Sequence, residues 1–266
     1  MAFGGTELES AYSVPPSGIQ CLLRSGARLP GVRAPALNLV ALDTSSEWCT
    51  AALWLGGRVR WRQDQAGQRH SELILPMIDA LLQEAGMSVR QLDGIAFGAG
   101  PGSFTGLRIA CGVAQGLALA AELPVAAVGT LESLAEASGA ARVVSALDAR
   151  MGEVYLAAFE RGDGVWRPLS EPLLCRPLEA PALAGTWVGC GGGFAAHGDA
   201  LARRYAGQLT GVRAELFPHA REVAAIGARA LARGEGVDPA LAAPLYVRDK
   251  VALTVGERAA RKAQAS

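Results

Sequence analysis

Lysine is nearly missing from this 266-residue chain: Lys250 and Lys262 are the only two, and arginine carries the rest of the basic load. With alanine and glycine so abundant, that skew reads as a genome-composition bias rather than a binding device. Net charge is missing too, with 25 Lys and Arg against 25 Asp and Glu and a pI near 6.8. A protein that grips nucleic acid unaided shows a basic face, and this composition gives no sign of one. The three histidines, His70, His197 and His219, are far apart and none belongs to an H-E-x-x-H pattern, so no protein-built metal site is expected. The five cysteines (Cys21, Cys49, Cys111, Cys175, Cys190) are odd in number and form no C-x-x-C pair, which excludes a disulfide framework and fits a reducing compartment. The most apolar stretch, residues 109–121, is short for a bilayer and is interrupted by Gln115. The expectation is a soluble cytoplasmic protein with no membrane partner.

What the chain has in quantity is hydrophobic residues, 50% of the total, enough for a substantial core. Its most informative run is Gly98-Ala99-Gly100-Pro101-Gly102-Ser103-Phe104-Thr105-Gly106-Leu107-Arg108, between a strand-like and a helix-like segment. Glycine serves where backbone turns sharply or approaches another group closely, and a helix N-terminus just beyond offers free N–H groups to an anion. The run fails the Walker A pattern, having no lysine, and fails G-x-G-x-x-G as well. An anion-cradling loop and a tight packing elbow both remain open.

Residues 1–36 lack periodicity and a continuous apolar core, and read as a disordered extension or a start-site artefact. From residue 38 the pattern predicts strands at 38–43, 48–55 and 58–63, the last two joined by a Gly56-Gly57 turn. Leu73, Ile74, Met77, Ile78, Leu81 and Leu82 form one apolar helical stripe, with Ser71 as its cap, Pro76 placed to bend it and Gly86 to end it. A buried strand at 94–97, a helix at 105–123, a strand at 125–128 and a short helix after Thr130 complete an α/β layer pattern. The order then restarts with strands at 143–148 and 153–160. The aspartates Asp43 and Asp148 recur about 105 residues apart, the mark of a duplication. Further on come a strand at 187–189, the Gly191-Gly192-Gly193 loop and helices near 195–205 and 220–233.

Two lobes that each open with an aspartate-bearing hairpin resemble the actin/Hsp70/sugar-kinase (ASKHA) superfamily. The expected fold is α/β, with duplicated mixed sheets flanked by helices, an N-terminal lobe at 37–140, a C-terminal lobe at 141–250 and a polar tail at 251–266. Leu42-Asp43-Thr44-Ser45, His70-Ser71 with Leu75-Pro76, the glycine run, Gly129-Thr130-Leu131-Glu132-Ser133-Leu134 and Pro244-x-Tyr246-x-Arg248 resemble, in order, the bacterial TsaB (YeaZ) family. The resemblance implies a dimerization subunit of the machinery that makes threonylcarbamoyladenosine in tRNA. It implies a catalytic paralogue (TsaD-type) as heterodimer partner, an ATPase (TsaE-type), tRNA contact only through the complex, and a homodimer as the form open to the chain alone. ATP and a metal ion would belong to the partner subunits.

The catalytic paralogue carries a His-x-x-x-His metal pair; here Ile74 stands four residues after His70, so the resemblance implies the non-catalytic member, with no catalytic and no metal residues. Residual cofactor contacts would fall to Asp43, Thr44, Ser45, Gly191 and Gly192. For Asp43 and Asp148 the competing reading is a turn aspartate accepting backbone N–H bonds. His70 reads as a helix-start or packing residue, and Cys49 and Cys111 as buried and inert. The family builds its partner interface from the helices at 71–85 and 105–121, which puts Leu73, Met77, Leu81, Leu107, Arg108, Gly112 and Gly116 on that face. Gly112 and Gly116, four apart, make a flat strip where another helix can approach, the competing reading being close packing on the protein's own sheet. The rival reading is a small-molecule kinase of the same superfamily with Asp43 or Asp148 as base. A protease has no supporting nucleophile–base or zinc motif.

Overall fold

A computed structural model describes residues 37–248; the expected extension at 1–36 and tail at 251–266 lie outside the described residues. The chain opens with a meander of β1 (Asn38–Asp43), β2 (Trp48–Leu55) and β3 (Arg58–Gln65). Gly56 and Gly57 both have positive φ, the requirement of a two-residue hairpin turn whose twist matches its strands. Then come α1 (His70–Ala85), β4 (Gly94–Gly100), α2 (Phe104–Ala121), β5 (Val125–Gly129) and α3 (Thr130–Ser138). The sheet order is β3-β2-β1-β4-β5, with β1 antiparallel to β2 and parallel to β4.

In β1, Leu39, Val40, Ala41 and Leu42 are all fully buried. Successive side chains point to opposite faces of a strand. Val40 and Leu42 accordingly join the core under α1 and α2, and Leu39 and Ala41 the core on the other face. A continuous apolar strand is what a sheet covered on both sides demands.

The second half repeats the plan with β6 (Arg142–Asp148), β7 (Val154–Gly162), β8 (Val165–Pro168), β10 (Trp187–Cys190), α4 (Gly192–Arg204), β11 (Leu209–Arg213) and α5 (Ala220–Ala232). The strand order β11-β10-β6-β7-β8 is the same path, first strand central, as in the first sheet. The counterpart of α1 is missing; its place in the chain is taken by a short β9 (Leu173–Cys175), which pairs with β7, and a 3-10 turn. The duplication inferred from Asp43 and Asp148 is thus a duplication of topology.

The closing helix of each half packs across. Leu131, Leu134 and Ala135 of α3 lie in one core with Val143, Ala157 and Phe159 of the second sheet. Val223, Ala224 and Ala228 of α5 cover Leu39, Ala41 and Ala96 of the first. Thr50 on β2 accepts the Ala220 N–H at 2.9 Å, satisfying one orphan donor at the start of α5.

Local details differ from the sequence expectation at the start of α1 and at β11. Helix α1 begins at His70, so Ser71 is inside the helix; the N-cap position is Arg69, with no side-chain cap. Pro76 stands within α1 and is exposed. Strand β11, four of whose five residues are exposed, has no apolar alternation by which to announce itself.

Candidate functional site

The glycine run folds as an elbow closed over the end of β1. Thr44 Oγ1 donates to the Gly106 carbonyl at 2.7 Å, and the Ser103 N–H donates to the Ser45 carbonyl at 2.8 Å. A Cβ at Gly98 would land on the Asp43 carboxylate, and one at Gly106 on the Thr44 carbonyl oxygen. The absence of a side chain is what lets these two segments touch. Ser103 caps α2, accepting from the Gly106 N–H at 3.3 Å.

Asp43 is completely buried beneath this elbow. Its Oδ1 accepts from the Ser45 N–H (2.9 Å) and Oγ (2.8 Å), the geometry of an Asx turn, while Oδ2 has no partner. Burial pushes its carboxyl up to about 6, against the lowering effect of the Ser45 hydrogen bonds. Asp43 is sealed away from the cleft, a position that does not favour it as a kinase base.

Between the lobes lies a cavity of about 1020 Å³, walled by the elbow and the turns after β1, β6 and β11. Of the five residues proposed for residual cofactor contact, Ser45 and Gly192 line it; Asp43, Thr44 and Gly191 do not. Gly191 packs instead on the Ala146 carbonyl, and a Cβ there would be 2.8 Å from Leu134 Cδ1. His70 lines the cavity with its ring Nε2 held 2.9 Å from the Ser46 carbonyl. Ile74, one turn on, is fully buried in the apolar core, so these two positions do not fit a shared metal ion.

Two features of the cleft escape sequence reasoning. Trp48 and Phe217 stack in its wall, with ring centroids 4.8 Å apart. Asp148 of the cleft wall is approached at 3.2 Å by Nε2 of His197, which does not itself line the cleft, and the helix bearing His197 breaks from helical geometry at that residue. Asp148 Oδ1 also accepts from the Arg150 N–H, at 3.0 Å, and its Oδ2 pairs with the Arg150 guanidinium at 3.2 Å. Burial pushes Cys49 and Cys190 up to about 12, keeping both protonated.

The second candidate region is the outer face of α1 and α2, which lie together over the first sheet. Gly112 and Gly116 are exposed, and a Cβ at either would meet nothing within 4 Å. Leu73 and Met77 are half-buried at the edge of the core. Leu81 and Leu107, each 1% exposed, point inward and do not belong to that face. The stripe that marks Leu81 as apolar is the one α1 turns to its own sheet, and Leu107 lines the cavity between the lobes. The outward apolar residues are Leu75 (49% exposed) and Leu119 (57%). Arg108 is exposed but engaged, its guanidinium 3.6 Å above the Phe104 ring and its Nε donating to Tyr246 Oη at 3.0 Å. By length and composition α2 would also suffice to cross a membrane; here Ala110, Cys111, Ala114 and Ala118 bury one side of it in the core.

A family model described as TsaD, tRNA N6-adenosine threonylcarbamoyltransferase, matches residues 63–253. The chain is 37% identical over 225 residues to the Escherichia coli (strain K12) tRNA threonylcarbamoyladenosine biosynthesis protein TsaB, a span of 81% of this chain and 96% of that one. The chain belongs to the TsaB family. Two solved structures from Pseudomonas aeruginosa agree. YeaZ superposes with a TM-score of 0.72 at 40% identity, covering 79% of this chain and 99% of its own. A protein described by its similarity to peptidase YEAZ gives 0.74 at 39%, covering 80% and 100%. The duplicated, two-lobed arrangement is the ASKHA-like fold expected of a TsaB family member.

Proposed function

We propose that this TsaB family chain serves tRNA threonylcarbamoyladenosine biosynthesis as a non-catalytic dimerization subunit. It docks a TsaD-type catalytic paralogue on the outer face of α1 and α2. The observation that carries the reading is the open strip at Gly112 and Gly116, with Leu75 and Leu119 outward on the same two helices. Glycine in a helix interior costs about 1 kcal/mol relative to alanine, and neither glycine is needed for packing within the chain, so a backbone-close partner is the natural compensation. The burial of Asp43 supports a supporting rather than a catalytic part.

In this reading the paralogue transfers the threonylcarbamoyl group to the tRNA adenosine beside the anticodon, and this subunit holds the paralogue in its competent conformation. A partner that binds one conformation better shifts the population toward it without touching the reacting atoms. ATP and a metal ion belong to the paralogue and to a TsaE-type ATPase, tRNA is met only through the complex, and the assembly works in the cytoplasm. Without the paralogue, the same face is open to a second copy.

The test is reconstitution of threonylcarbamoyl transfer to tRNA from purified subunits, with and without this chain. Transfer that depends on the chain, while the chain alone turns over no ATP, supports the reading. Equal transfer in its absence overturns it, and ATP turnover by the isolated chain would point back to a kinase.

A further inference from the structure

Residues 242–248 follow a 3-10 turn (Pro239–Leu241) and cross both lobes in extended form. At the near end the Ala242 carbonyl accepts from Gln115 Nε2 at 3.0 Å and Cys111 Sγ at 3.4 Å, both on α2. Midway the Leu245 N–H donates to the Ala99 carbonyl at 2.7 Å. The Leu245 carbonyl lies where only glycine leaves room: a Cβ at Gly100, whose φ is +120°, would come within 2.7 Å of it. Tyr246 adds its hydrogen bond from Arg108 and a ring contact with Phe104, centroids 5.5 Å apart. These contacts all belong to the first lobe.

The far end belongs to the second. Arg248 Nη2 donates to the Ala149 carbonyl at 3.0 Å and to Glu153 Oε2 at 2.8 Å, gripping the turn that joins β6 to β7. The Arg248 side chain is only 16% exposed. The gripped turn holds Arg150 and Met151 in the left-handed region (φ +63° and +58°), which costs non-glycine residues energy unless neighbours fix them. Leu245, Tyr246, Val247 and Arg248 line the cavity between the lobes.

We propose that residues 242–248 form a clasp that sets the separation of the two lobes, and that the cleft opens by release of Arg248 from the turn at 149–153. The first-lobe end is held by backbone carbonyls and by packing along α2, so it stays seated. The second-lobe end hangs on one long side chain and its charge-assisted hydrogen bonds. Of the other cross-lobe links, α3 and α5 are backed by buried cores and do not part, and the Trp48–Phe217 stack at the cleft wall is the contact that loosens when Arg248 lets go.

Hydrogen exchange on the full chain, wild type against Arg248→Ala, tests this. A hydrogen bond to a charged group contributes about 1.5–3 kcal/mol, so local opening should become about 10- to 100-fold more frequent. The expected result is faster exchange of that size at 149–153 and in the cleft walls at 45–48 and 214–218, with the Leu245 amide still protected. Arg248→Lys, which keeps a charged donor, should restore most of the protection. Acceleration confined to 246–248, with both walls as in wild type, would overturn the clasp. Tyr246→Phe guards against a folding defect: it removes a first-lobe contact only, and equal acceleration of both walls in it would contradict release from the Arg248 end.

Discussion

Glu136 of α3 and Arg229 of α5 meet in a two-pronged ion pair, with oxygen–nitrogen distances of 3.1 and 3.0 Å, that joins helices from opposite halves of the chain. The same carboxylate accepts from Trp166 Nε1 at 2.6 Å and lies 3.5 Å from Arg161 on the second sheet. One acidic side chain therefore gathers three donors at the junction where the closing helices cross. Glu136→Ala strands a buried indole N–H and two guanidinium groups, and should cost about 3 kcal/mol. Arg229→Ala leaves the carboxylate its other partners and should cost about 2 kcal/mol or less. Urea denaturation of both variants checks the order; an Arg229 variant weaker than the Glu136 variant contradicts it.

Two alanine substitutions in neighbouring segments should move stability in opposite directions. Gly98→Ala drives a methyl into the Asp43 carboxylate and should cost at least about 3 kcal/mol or prevent folding. Gly112→Ala meets open space in an exposed helix interior and should stabilise by up to about 1 kcal/mol. Thermal melts of both proteins decide, and a neutral Gly98→Ala would mean the elbow is looser than described.

Between about pH 4 and 7, protonation should act in opposite directions at different residues. His219 caps α5 through Nδ1, which accepts the Arg221 N–H at 2.9 Å, and its ring is neutral in that role. Burial, with the nearby Arg221 charge, lowers it from 6.5 to about 4. The unfolded chain thus takes up the proton first, and stability falls as pH drops from about 6.5 toward 4. Asp43 and Glu132 run the other way: burial raises them to about 6 and about 7, above their unfolded 3.8 and 4.5. The folded chain then holds the extra protons, and stability falls as pH rises from about 4 through 7. His219→Asn keeps a capping acceptor and should make the slope of stability with pH less positive across this range, while Glu132→Gln should make it more positive. Urea midpoints across that range check both, and unchanged slopes in the variants would reject the assignments.

Much of this fold is legible in the residues. Gly56-Gly57 gives the hairpin of β2 and β3, the stripe from Leu73 to Leu82 gives α1, and the pair Asp43 and Asp148 gives the duplication. The start of α1 is misread at Ser71 because a distant contact, His70 to the Ser46 carbonyl, holds the first turn. Periodicity likewise marks Leu81 as apolar without saying which neighbour covers it. The cleft depends on pairs brought together only by the chain path: Trp48 meets Phe217 and Asp148 meets His197. Neither spacing carries a motif. Nor does an apolar stripe on α3 or α5 reveal that each covers the other half's sheet.

Size-exclusion chromatography of this chain with the TsaD-type protein of the same organism asks whether the exposed strip of α2 receives a catalytic paralogue. A heterodimer should form at micromolar concentration, and Gly112→Leu combined with Gly116→Leu should abolish it, the variant retaining its wild-type circular dichroism and melting cooperatively. Bulk added in open space leaves the fold intact but holds another helix away. A wild-type chain that ignores the paralogue, or a folded double variant that binds it as well as wild type, would contradict the account.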